Sequence, residues 1–389
     1  MGSNDRPTET VHPADAAWLL RNLGITLPEA AALRTVGAPR ASNASTERTR
    51  LRELIEFDSE SPRGAQFMAS APLATGLSQF VAIPWPHGLA PQPGTAPTGS
   101  RLPRCDVLIV TWTVEEGHAL SRVLTPGFDS RDDWRPYTRN FDAVAALMRN
   151  GCPARELGRL GTYWTATIGT KRLTLFKSDS HMSQDGSKLP NAVVWHQIID
   201  DSQPSLVLTT GTGGGIGTEV IVGDVIVSPF VTFDCHRTFK RLDGRTYAST
   251  SSYPSSRLKD AKRLFSANAR FLPPDNPRPP TILRSSSAAT GVLTTDFFGF
   301  DNSANTYGLQ GKGDLSEMGD AVLGMVVKRK RTNPPAFLAV RNVSDPQIAA
   351  GSHSIHEQEV IAAAIYKGFG RWSSVCSAIV CWALVAGLP

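Results

Sequence analysis

The residues best placed to do chemistry begin with Ser205–Pro229, SLVLTTGTGGGIGTEVIVGDVIVSP. The apolar run at Leu206–Leu208 has the composition of a buried strand. Glycines then stand at 211, 213, 214, 215 and 217. Glycines at that density bring backbone close to a ligand, or hold φ values that other residues avoid. A phosphate-cradling P-loop would need Gly-Lys-Ser/Thr after them, and no lysine is there. A dinucleotide fingerprint would need glycine at 216, where Ile216 stands, and then a helix; TEVIVGDVIV is β-branched and reads as strand. A second candidate is the pair Glu115 and Glu116, just past the apolar run DVLIVTWT and at the start of a helix predicted to run through Leu124. A carboxylate there sits at the usual ligand edge of an α/β sheet, but the helix dipole also favours acids at that place.

Further motifs follow in order: Gly223-Asp224 inside a β-rich run, TTDFFGFD ending at Asp301, Glu317-Met318, and Arg341-x-x-Ser344-Asp345 after a buried strand. Together with the glycine stretch they resemble the nucleoside phosphorylase/nucleosidase superfamily, and within it the methylthioadenosine/S-adenosylhomocysteine nucleosidases. The resemblance covers roughly residues 105–389. It implies an α/β fold with a mixed, barrel-like central sheet flanked by helices. It places Gly213 and Gly214 against the purine and ribose, and Phe297 or Phe298 stacked on the base. It makes Glu116 the activator of water and Asp345 the acid that protonates the purine, with Ser344 orienting it. Glu317 then receives the ribose hydroxyls and Met318 packs on the sugar. The family often carries a second glutamate after that methionine; here Gly319 stands there, and Asp320 is the reserve.

The implied reaction is hydrolysis of a purine N-glycosidic bond, adenine being the base implied. It needs no cofactor, and the family usually pairs into homo-oligomers. Related phosphorylases have a phosphate loop where this chain reads TWTVEEGHAL, whose carboxylates repel phosphate. Phosphorolysis is the near alternative, and a catalytically silent nucleoside sensor, suggested by Gly319, the more distant one. Nucleosidase-like domains in bacterial antiviral systems act on ATP. A nucleotide substrate in such a role would use Arg139, Arg237 or Lys240 for its phosphates.

Elements must hold these groups in place. The 389 residues are 41% hydrophobic and 19% charged, with a net charge of +5, as in an ordinary globular chain without a basic stripe for nucleic acid. The five cysteines include no C-x-x-C pair, which fits a reducing cytoplasm. The N-terminus shows no signal peptide, and Ala378–Leu388 is too short to span a bilayer and reads as core helix. His353, His356 and Glu357 read as a polar helix start rather than a metal site. Residues 1–100 read as an accessory segment, with helices at 13–23, 27–34 and 48–57 and a Pro-rich linker or irregular wrap at 84–104. Residues 101–389 form the nucleosidase-like domain, with an insertion at about 236–280 that carries a helix from Ser256 to Phe271. Helices are also expected at Leu189–Asp201, Asp314–Val327, Ile355–Phe369 and Arg371–Leu384. Strands are expected at 162–168, 172–177, 220–227, 282–295 and 337–343. His181 follows a strand on a loop and is a ligand-contact candidate.

Overall fold

The computed structural model describes residues 80–249, 255–265, 268–273, 276–351 and 353–389. The helices expected before residue 58 lie outside the described residues. In chain order the elements are β1 (Gln92–Pro93), β2 (Val107–Thr111), α1 (Val114–Leu124), β3 (Arg135–Tyr137), α2 (Phe141–Ala145), α3 (Pro153–Leu157), β4 (Gly161–Ile168), β5 (Lys171–Ser178) and α4 (Pro190–Ser202). Next come β6 (Leu206–Gly215), β7 (Val225–Ser228), β8 (Phe230–Asp234), β9 (Thr246–Ala248), α5 (Leu258–Phe265), β10 (Ile282–Arg284) and β11 (Val292–Thr295). The chain finishes with β12 (Leu315–Glu317), α6 (Asp320–Arg329), β13 (Ala336–Asp345) and α7 (Ile355–Ala386).

β6 organises the sheet. Its first half pairs in parallel with β2, its last residues pair antiparallel with β12, and β13 runs parallel along its other edge. β13 pairs antiparallel with β7, and β7 continues across Pro229 into β8. β8 pairs with β11 and β11 with β12, which returns to β6. The result is a closed ring, the barrel-like part of the fold. β2, β5 and β4 extend it as an open sheet.

Alternation with period two sends side chains to the two faces. Val107, Ile109, Leu206, Leu208, Leu338 and Val340 pack toward α1 and α7. Leu108, Val110, Val207, Phe337 and Ala339 pack toward α4 and α6. Strands covered on both faces read as continuous apolar runs, which is why these were visible in the sequence.

Four expectations on the elements need correction. Asp314–Val327 is not one helix: Leu315–Glu317 is drawn into strand pairing with both β6 and β11, and the helix starts only at Asp320. The strand expected at 282–295 is two strands in different places, separated by a tight turn that Ser287 caps. Of the run 220–227 only its last residues join β7, because Asp224 turns back to accept from the Ile221 amide. The two C-terminal helices are one, α7, which crosses Gly368 and Gly370 unbroken because tertiary packing outweighs glycine's low propensity. By length and composition α7 could cross a bilayer, but 83% of its apolar window is buried in the fold.

The Pro-rich stretch is a wrap. Trp382 Nε1 donates to the Leu89 carbonyl (2.6 Å), Trp164 Nε1 to that of Gly94 (3.1 Å), and β1 pairs with β4. In the expected insertion, α5 turns Leu258, Ala261, Leu264 and Phe265 into the core beside α7.

Candidate active site along β6

Glu116 sits at the third position of α1, where Thr113 and Glu116 form a reciprocal cap of the helix start. Its carboxylate lies across the chain at the turn of β6. One oxygen accepts from the Thr111 hydroxyl and the amides of Trp112 and Thr113, each at 2.9 Å. The other accepts from the Thr212 amide (2.8 Å) and hydroxyl (2.7 Å). Burial alone would push its pKa up. The Arg341 charge and the donors from Thr113 and Thr212 outweigh that and hold it below the ordinary glutamate value. Gly211 makes room for it. Its φ is +150°, and an added Cβ would fall 2.4 Å from the Glu116 carboxyl carbon.

Arg341, on β13, is the hub beside it. Its guanidinium is buried and holds Asp320 through two contacts, Nε at 2.8 Å and Nη2 at 2.5 Å, and Glu317 through Nη2 at 3.2 Å. Its far face stacks on the Trp112 ring, 4.7 Å from the centroid. Burial works against its charge, but Asp320, Glu317 and Glu116 prevail. One cation thus serves three buried carboxylates, Glu116, Glu317 and Asp320. Glu317 is where the excess negative charge is relieved: burial first, then the Asp320 charge, raise its pKa well above the ordinary range despite the contact with Arg341. Asp320 takes the better bidentate geometry, so Glu317 is the group that carries a proton.

Glu317 already accepts from the Thr294 hydroxyl and the Asp320 amide, and both Asp320 oxygens face Arg341. Gly319 leaves ordinary van der Waals space: an added Cβ would lie 3.6 Å from the Trp112 ring and 3.7 Å from Glu317. The Trp112 indole N–H beside it is buried and has no acceptor among the described residues. Met318 is half-buried.

Asp345 ends β13 opposite Gly214. It is only 5% exposed, and its carboxyl accepts one hydrogen bond, from the Ser344 hydroxyl at 2.7 Å. Burial raises its pKa to about 6, with Ser344 opposing weakly. Ser344 also reaches the Gly213 carbonyl (3.3 Å). A Cβ at Gly214 would fall 3.0 Å from Asp345 and 3.4 Å from the Gly299 carbonyl, so Asp345, Gly214 and the 297–300 segment meet. Glu116 contacts β6 at Gly211 and Thr212, two to three residues before Gly214, roughly 7–10 Å away at about 3.3 Å per strand residue.

Gly213 does not bring backbone toward a ligand through its missing side chain. A Cβ there would strike Leu315 at 2.4 Å, and one at Gly215 would strike Val220 at 2.7 Å. These two glycines let β12 and the following turn pack closely. Phe297 is buried under the rings of His236 (5.7 Å) and Tyr307 (5.4 Å), whereas Phe298 is half-exposed beside Phe300.

The phosphate candidates separate. Arg139 pairs with Asp201, whose carboxylate also binds the amide of Leu102 before β2; Glu116 lies beyond the other end of that strand. Arg139 is therefore not gathered into the cluster. Arg237 lies over Phe297 (5.6 Å) and Lys240 is exposed on the adjoining loop. His181 lies near enough to feel the charges of Glu116 and Arg341. Its partly exposed imidazole is driven down to about 4, by desolvation first, with Arg341 and Lys177 adding. The Ser183 amide donates to its Nδ1 (3.3 Å), so the neutral ring carries its proton on Nε2.

No protein-family model and no curated protein matches the sequence. Among solved structures the chain is similar to the 5'-methylthioadenosine/S-adenosylhomocysteine nucleosidase of Neisseria meningitidis, at 15% identity over 73% of this chain and 100% of that one, with a TM-score of 0.41. It is similar to the Helicobacter pylori enzyme of the same name at 14% identity, 72% and 98% coverage and a TM-score of 0.44. It is also similar to the futalosine hydrolase of Helicobacter pylori at 13% identity, 72% and 97% coverage and a TM-score of 0.44.

Proposed function

We propose that this chain hydrolyses the N-glycosidic bond of a purine nucleoside and releases the free base. The observation that carries the proposal is the pairing of unlike carboxyls along β6. Asp345 is buried with a raised pKa of about 6, and Glu116 is held ionised. An acid that keeps its proton near neutrality can give it to the departing base. An ionised carboxylate on the other side of the scissile bond can orient water, the division of labour of an inverting carboxyl pair. Glu116 accepts five hydrogen bonds, more than the roughly four acceptor positions of a carboxylate. Two of the five come from hydroxyls, Thr111 and Thr212, that can turn away. The half-exposed Thr212 is the one water would replace. Arg341 would oppose charge on that water while fixing Glu317 and Asp320.

Hydrolysis fits better than phosphorolysis. A phosphate at the nucleophile position would meet Glu116, with Asp320 and Glu317 already claiming the buried Arg341 guanidinium. Adenine is the base the sequence resemblance favours. A nucleotide such as ATP, and with it an antiviral role, would rest on Arg237 and Lys240 alone.

The saturation of Glu116 favours a second reading, a domain that binds nucleosides without cleaving them. Chromatography of incubations with methylthioadenosine, adenosine, AMP and ATP separates the two. Free adenine from any of them supports the hydrolase; unreacted nucleoside that still binds by calorimetry supports the sensor.

A further inference from the structure

At the end of β8 the chain folds back into β9 and draws together Asp234, His236 and Asp243. One potential ligand atom from each lies within 4.8 Å of the others. The loop is fixed from outside: Asp296 accepts from the amides of His236 (2.9 Å), Arg237 (3.1 Å) and Phe239 (2.7 Å), and Asp243 accepts from the Cys235 amide (2.9 Å). The Asp234 side chain is 6% exposed. Its Oδ1 contacts Lys312 Nζ (2.7 Å) and His236 Nε2 (3.4 Å). Its Oδ2 is buried and has no donor among the described residues. A buried carboxylate oxygen without a partner is costly, and an ion is one of the few explanations for it.

We infer that Asp234, His236 and Asp243 form a binding site for a divalent transition-metal ion. Two carboxylates and one imidazole are a donor set suited to Zn²⁺ or Mn²⁺, and three protein ligands leave coordination positions open. Lys312 and His236 both meet Asp234 at Oδ1, and the unpartnered Oδ2 is the acceptor that an ion would satisfy. The buried thiol of Cys235 is not a ligand, since it points to the Thr294 carbonyl (3.5 Å). The site is separate from the Arg341 cluster and does not depend on the proposed hydrolysis. It adjoins that region through the pairing of Asp234 with Thr295, the Asp296 hydrogen bonds to its loop and the His236 ring on Phe297.

Calorimetric titration of the chelator-stripped full chain with ZnCl₂ and with MnCl₂ tests this directly. The expected result is one saturable site, tighter for Zn²⁺ than for Mn²⁺. His236→Ala and Asp243→Asn should each weaken Zn²⁺ by at least about tenfold, since even losing an outer-shell partner costs 10–100-fold. Both positions are exposed, and the Asp243→Asn side chain keeps the oxygen that the Cys235 amide needs, so circular dichroism should match the parent. Absence of saturable binding, or an affinity that either variant leaves unchanged, would overturn the assignment.

Discussion

Glu116, on α1, and Asp345, at the end of β13, both face β6 but in opposite surroundings. Glu116 is ringed by donors from β2, α1 and β6 and faces the Arg341 charge. Asp345 has one hydroxyl donor and is otherwise desolvated by burial. Both are buried to a similar degree, so burial does not distinguish them. The Arg341 charge and then the supply of donors do, and they leave one carboxyl ionised and the other able to hold a proton at a few residues' distance.

The contrast breaks most sharply at Asp345. Asp345→Asn removes the proposed acid and should lower base release by about 10²–10⁴-fold. In the parent, kcat/KM should fall as pH rises above about 6, where Asp345 loses its proton; the variant should lack that limb. A carboxyl raised from 3.8 to about 6 on folding favours the native state at low pH, and that contribution is lost as pH rises between those values. The Tm of Asp345→Asn should therefore match or exceed the parent's at pH 8, with the advantage gone at pH 4. A lower Tm at pH 8 would show that Asp345 is stabilised by contacts rather than strained by burial.

At the other carboxyl, Glu116→Gln should lower base release by about 100-fold. Either orientation of the amide points its N–H₂ at backbone donors, so the unfolding free energy should drop by about 1–3 kcal/mol in denaturant titration. Gly211→Ala sharpens the same point without touching the charge. The new methyl group would collide with the Glu116 carboxyl and needs an unfavourable φ, for a loss of about 1–3 kcal/mol. Trp112→Phe has the smallest expected effect. It keeps the stack on Arg341 and removes a buried, unpaired N–H. The smaller ring leaves a gap beside Trp195, so stability should fall by about 1 kcal/mol, while KM for the nucleoside should rise several-fold at constant kcat if that N–H serves the sugar, about 1 kcal/mol.

Much of the scaffold was legible because β2, β6 and β13 are buried on both faces and read as apolar runs. The order of the acidic motifs was legible too. What connects them was not. Thr111 and Thr212 lie on neighbouring strands but far apart in sequence, so no local pattern marks them as a joint cradle for Glu116. Arg341 stood in a motif noted for Ser344 and Asp345, and its partners on α6 and β12 could not be read from its own segment. The glycines do mark close approaches, but Leu315 and Val220, not a ligand, fill the space beside Gly213 and Gly215. β12 itself looked helical because its strand character comes entirely from partners far away in sequence.

β6 belongs both to the closed ring and to the open sheet, with paired strands on both of its edges. Neither half can come apart without releasing the other's hydrogen bonds. Amide protons from Val207 to Thr209 should therefore exchange with solvent only when the whole chain unfolds, and the strand bearing the candidate site should be the last part of the molecule to loosen.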